Sequence, residues 1–197
     1  MAILDSMWTA FKEIISSSFK DLSIWWYLAP ILLLWIGLEV YFGQYKREKL
    51  GWNTSLGNGI TLTWINIEAM RFLFSSHPKP FWIRFIIILL IMFYGLFVIY
   101  ISFTHKFSGK TTYAFASPSP VYFLAAITTL WGHGVLDISF WVAVDLIVMF
   151  PLILLFFTIL RKILPKAKKA EGEFEEKPFE EESFGLGKEE KPEKFKF

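Results

Sequence analysis

Between Arg84 and His105 the chain carries no charged residue. That stretch, Phe85 to Thr104, is about 20 residues long and makes about 30 Å of α-helix, the thickness of a bilayer core. A soluble chain of 197 residues needs no unbroken apolar run of membrane length. With 54% hydrophobic residues and a mean hydropathy of +0.45, the run points to an all-α integral membrane protein.

Two further runs resemble it. About 22–42 reads as a first span, with Trp25, Trp26 and Tyr27 as an aromatic belt at one end and Tyr41, Phe42 and Tyr45 at the other. Pro30 lies in its first turns. About 81–104 is the second span, and about 138–160 the third, containing Asp145 and Pro151. The apolar segment Val121 to Trp131 is too short to cross alone, and extended to Leu136 it nearly crosses, so the count is three spans or four. Residues 1–20 form an amphipathic helix, with Ile3, Leu4, Met7, Trp8, Phe11, Ile14, Ile15 and Phe19 at helical spacing, expected to lie in the membrane interface. Gly43 to Gly59 reads as a turn-rich loop. Ile60 to Phe74, interrupted by Asn66, Glu68 and Arg71, reads as an interfacial or re-entrant helix. Asp5 and Glu13 argue against a cleaved targeting signal.

Charge orients the bundle. Lys46, Arg47, Lys49, Arg71 and Lys79 precede the second span. Arg161, Lys162, Lys166, Lys168 and Lys169 form a collar after the third. The positive-inside rule puts both groups in the cytoplasm. Three spans achieve that, with the N-terminus outside, the C-terminus cytoplasmic and the loop carrying Lys106 and Lys110 outside. Four spans separate the two groups. The collar is expected to touch anionic lipid rather than nucleic acid. Asn53-Thr54-Ser55 matches a glycosylation acceptor on the cytoplasmic side of this topology, and so reads as a chance match.

The domains that follow are 1–20, a helical bundle over 21–164, and the collar with its tail over 165–197. The last 27 residues hold ten Glu and five Lys, too little aliphatic surface to fold, so a disordered tail is expected. Phe174, Phe179 and Phe184 recur there every five residues, a spacing that fits neither a helical stripe nor a strand face. They suit separate pockets on a protein partner.

Chemistry-bearing residues are few. The chain has no cysteine, which excludes disulfides and thiolate ligands. No zinc-helix, nucleophile-elbow or phosphate-loop signature occurs, and neither a metal nor a cofactor is expected. If Gly132-His133-Gly134-Val135-Leu136-Asp137 is helical, His133 and Asp137 lie one turn apart on one face, and the carboxylate can fix the imidazole tautomer. The competing reading is a polar hinge with His133 capping a broken helix. Asp145 lies about seven residues into its span, where an acid faces the bundle interior or water. Glu39, the other acid in a span, falls near the far end of the first, within reach of the interface. Glu68 and Arg71 read as a local ion pair.

The same hexapeptide resembles the His-Gly-x-x-Glu element of the membrane proteins named after stage II sporulation protein M. Asp137 replaces the glutamate and Gly132 the preceding proline. The resemblance covers these six residues, the helix count differs, and it transfers no function.

The residues therefore favour a noncatalytic membrane anchor or accessory subunit whose cytoplasmic tail recruits a partner. The alternative is a small oligomeric transporter or channel subunit using Asp145 and the broken helix near His133. A membrane enzyme using His133 and Asp137 comes third.

Overall fold

The computed structural model describes residues 2–44 and 51–163, all within a first unit, Met1–Lys166. Among them the fold is entirely helical: α1 (Ala2–Lys20), a 3-10 turn (Leu22–Ile24), α2 (Trp25–Gln44), α3 (Trp52–Ser76), α4 (Phe81–Thr104), α5 (Gly109–Ala116), α6 (Pro118–Gly132) and α7 (Phe140–Ile163). Three helices are long and apolar enough to cross a membrane, Leu22–Gly43, Phe81–Thr104 and Phe140–Ile163. The third begins two residues later and ends three residues later than the apolar run suggests.

The largest departure from expectation is α3. The residues Asn53 to Gly59, read above as a loop, are its first two turns, and the helix continues for 25 residues, about 37 Å. It runs antiparallel to α4 from end to end. Trp52 stacks on the ring of His105 at 4.0 Å, and Phe74 meets Phe81 and Phe85 at the opposite end. Turn propensity loses here because the small and polar residues serve packing. A Cβ at Gly59 would lie 2.9 Å from the Ile99 nitrogen, and one at Gly95 would lie 2.6 Å from Thr63 Oγ1. Helices in lipid gain little from hydrophobic burial against one another, so close backbone approach between small residues supplies the contact. Asn58 adds a tie, its amide donating to the Ala116 carbonyl at 2.7 Å and its oxygen accepting from Tyr122 at 3.2 Å.

The buried stripe of α3 is Ser55, Asn58, Gly59, Leu62, Asn66, Ala69 and Leu73, whereas Ile60, Trp64, Ile67 and Phe74 are exposed. The polarity is inverted relative to a soluble amphipathic helix. Helix α1 behaves similarly: Ala10, Ile14 and Ser17 are buried while Ile3, Leu4, Trp8, Phe11, Ile15 and Phe19 stay exposed. It packs along α7, joining Val142 and Leu146 in one apolar cluster. Its docking stripe is narrow, and its broader apolar face remains free.

Helix α6 occupies the centre. Ile127 and Leu130 join the cluster beneath α1, and Val121, Tyr122 and Ala125 join a second with Ile31, Trp35, Leu62, Ile91 and Phe157. With 15 residues α6 is only about 22 Å long, short of a bilayer core. Ser117 precedes Pro118 at its start, where a missing N–H is harmless. Gly132 ends it against Ala69, whose Cβ would sit 2.7 Å from an added methyl.

Candidate functional site

The helix break after α6 is where sequence placed the sharpest chemistry. The chain leaves the helix at Gly132, and Gly134 takes φ +71°, a left-handed conformation that favours glycine. The one-turn spacing of His133 and Asp137 therefore does not arise. His133 caps α6. Its Nδ1 lies 2.8 Å from the Thr129 carbonyl, which can only accept, so Nδ1 carries the proton and Nε2 is left as an acceptor. The ring stacks on Phe72 at 4.1 Å and tilts against Tyr27 at 5.0 Å. Burial pushes the imidazole below its ordinary value, against the smaller upward pulls of the Thr129 carbonyl and the Asp21 carboxylate. Asp137 is exposed, and its backbone N–H donates to Glu13 on α1 at 2.9 Å.

The break exposes carbonyls that no helix satisfies. Arg84, only 1% exposed, supplies the donors. Its Nη1 donates to the carbonyls of Trp131 at 2.9 Å and Leu136 at 3.0 Å, and its Nε to that of Lys79 at 3.2 Å. Irregular backbone at membrane depth persists where protein buries and satisfies it. Lys20 donates to the Val135 carbonyl at 2.9 Å, so α1 holds the same loop twice. Sequence reasoning treated Arg84, Glu13 and Lys20 only as charges flanking apolar runs. The available signal was the juxtaposition of a glycine-flanked helix break with a lone arginine at a span's start.

His133 also lines a groove of about 310 Å³ between α2 and α3. Its walls are mainly apolar, including Trp26, Pro30, Leu34 and Trp64, and Thr129 of α6 lines it as well. Glu68 lines it too and pairs with Arg71 at 2.7 Å, the local ion pair that the spacing suggests. Pro30 has no N–H for the Trp26 carbonyl, which leaves another acceptor along this helix.

Asp145 is elsewhere. It is 5% exposed and lines a separate cavity between α7 and α1, so it does not converge with His133. Glu39 is not at an open interface. It is 4% exposed, accepts from the Ser119 hydroxyl of α6 and pairs with Arg161 of α7. Arg161 of the expected collar therefore reaches Glu39 while its own side chain stays 39% exposed, and Lys162 is exposed as well. Lys166, Lys168, Lys169, Phe174, Phe179 and Phe184 lie outside the described residues. No group of three or more metal-ligating side chains occurs among the described residues.

Comparison with protein-family models, with curated proteins and with solved structures finds no match to this chain, so no family likeness extends the hexapeptide around His133.

Proposed function

We propose that the chain is a multi-pass membrane anchor or accessory subunit that holds a partner at the bilayer through its C-terminal tail. One observation carries the reading: three of the polar side chains buried in the bundle bridge helices. Arg84 ties α4 to the loop after α6, Asn58 ties α3 to α5 and α6, and Glu39 ties α2 to α6 and α7. Such groups stiffen a scaffold, whereas a conduction path presents polar side chains along a shared water-filled route. The inverted polarity of α3, with asparagines inward and tryptophan outward, supports lipid as the surrounding medium.

In this reading α3 crosses alongside the three long apolar helices, and α6, too short to span by itself, passes through the bundle between them. Five crossings leave the termini on opposite sides, as three would. Two connections change side: Lys106 and Lys110 join Arg161 and Lys162 at one end of the bundle, whereas Arg71 and Lys79 fall at the other. In sequence, Lys46, Arg47 and Lys49 fall between α2 and α3. This concentration of basic residues supports a cytoplasmic assignment for that end, with the collar on anionic lipid and the N-terminus outside.

The tail would follow into the cytoplasm, its Glu clusters favouring a basic protein surface and Phe174, Phe179 and Phe184 entering separate pockets. Deleting residues 171–197 should leave membrane insertion intact and abolish co-purification of a specific protein from native membranes. Changing the three phenylalanines to alanine should weaken recovery comparably, and high salt should weaken it further. Identical proteins recovered with and without the tail would overturn the reading.

A further inference from the structure

Three different surroundings run along α1. Ala10, Ile14 and Ser17 are buried against the bundle. About 130° round the helix axis, Leu4, Trp8, Phe11, Ile15 and Phe19 are exposed and apolar. About 90° further round, Asp5, Thr9, Lys12 and Ser16 are exposed and polar. Both exposed sectors extend over most of the helix, so a boundary between lipid and water that separates them follows the helix axis. Lys12 and Trp8 straddle that boundary, the ammonium 5.8 Å from the ring centroid.

The level of α1 on the bundle agrees. Lys20 donates to the Val135 carbonyl and Glu13 accepts from the Asp137 N–H, both in the loop before α7. Val142 and Leu146, which share a cluster with Ala10 and Ile14, lie in the first two turns of α7. The next buried residue of α7 is Phe157, which meets Trp35 of α2. Leu146 is about 9 Å along α7 from Phe140, and an interfacial helix lies about 5–10 Å into the headgroup boundary. Over the same turns α7 itself exposes Phe140 and Ile147.

The polar sector is only weakly polar. Asp5, Lys12, Glu13 and Lys20 carry two charges of each sign. The hydroxyls of Thr9, Ser16 and Ser18 donate back to the carbonyls of Asp5, Glu13 and Ile15. Such a helix gains no net attraction from anionic headgroups and binds through its apolar area. Side chains as bulky as Trp8, Phe11 and Phe19 need gaps between headgroups, which loose packing or convex curvature opens.

We propose that α1 is a wedge in the leaflet where α7 begins, directing the protein to loosely packed or convex bilayer surfaces whatever their charge. The proposal rests on α7 crossing the membrane. At the opposite end α5 has eight residues and exposes Phe115 as its one large apolar side chain, so among the described helices no comparable wedge balances α1.

The chain has no cysteine, so a nitroxide label can be carried on single introduced cysteines. The full chain is reconstituted in phosphatidylcholine vesicles, and collision of the label with oxygen is compared with collision with a nickel chelate added outside. The oxygen-to-nickel ratio should be about fivefold higher at Phe11→Cys and Ile15→Cys than at Thr9→Cys and Ser16→Cys. All four positions are exposed, so the labels spare the docking stripe. Small sonicated vesicles should raise the ratio at Phe11→Cys by about twofold over large ones, and added phosphatidylserine should not. Leu152→Cys, about 18 Å into α7, is the control for the crossing. Nickel access there would overturn the crossing and the wedge with it. With Leu152→Cys shielded, equal ratios on the two sectors of α1, indifference to vesicle size, or a rise with phosphatidylserine would each overturn the wedge alone.

Discussion

Replacing Arg84 by methionine keeps an unbranched stem in place and removes the guanidinium. Three carbonyls, those of Lys79, Trp131 and Leu136, then lose their charged donor. The Trp131 carbonyl keeps the Gly134 N–H at 3.1 Å, so the carbonyls of Leu136 and Lys79 are the two left unsatisfied. Each such acceptor costs about 1–3 kcal/mol, so the gross loss is about 2–6 kcal/mol. Relief from burying the charge offsets part of this, since desolvating an ion costs several kcal/mol. The net destabilisation should be about 1–3 kcal/mol. For a chain of 150–250 residues, 1 kcal/mol moves the midpoint by about 2–4 °C, so the midpoint in detergent should fall by about 2–12 °C. Arg84→Lys should fall between, because an ammonium is a point donor and cannot reproduce the planar fork. Amide hydrogen exchange should rise first at Gly132 to Leu136, where the supported carbonyls lie. A methionine variant within about 0.5 kcal/mol of the native chain would refute the assignment of Arg84 as the support of the break.

Gly132→Ala should destabilise by about 1–3 kcal/mol, because the added methyl meets Ala69 at 2.7 Å, whereas Gly37→Ala should be neutral or slightly stabilising in a helix with open space beside it. Cysteines introduced at Asn53 and Ser108 should react with impermeant thiol reagents from one side of the membrane and a cysteine at Ser76 from the other. Labelling of Asn53 and Ser108 from opposite sides would restore the three-span topology. The His133 imidazole is held below its unfolded value, so its contribution is fully present above about pH 6.5 and is lost as pH falls through the folded value. His133→Gln, whose amide can still donate to the Thr129 carbonyl, should flatten that acid-side loss in chemical unfolding curves, and an unchanged slope would acquit the histidine.

The three long helices α2, α4 and α7 were legible because their signal is additive along the chain: enough apolar residues in a row, whatever they touch. Helix α3 was not, because what identifies it is pairwise. Gly59 makes sense only opposite Val98 and Ile99, and Asn58 only beneath the Ala116 carbonyl. Read singly, those residues are turn formers. Asp145 was recognised as an interior acid, but the cover over it comes from a helix 140 positions earlier in sequence, expected to lie in the interface. His133 was found by its flanking glycines. Its real partners, Thr129, Tyr27 and Phe72, come from three different helices, and sequence offered Asp137 instead.

The bond between Glu39 and Arg161 joins positions 122 residues apart, the first long apolar helix to the last. Ribosomes add about 5–20 residues per second, so Glu39 waits about 6–24 seconds for its arginine to be made. Throughout that interval α2 carries a carboxylate without its cation, and Ser119 arrives before Arg161 does. Closure of the bundle is therefore deferred until α7 is made, and a ribosome stalled within α7 leaves a chain whose Glu39 is still without its arginine.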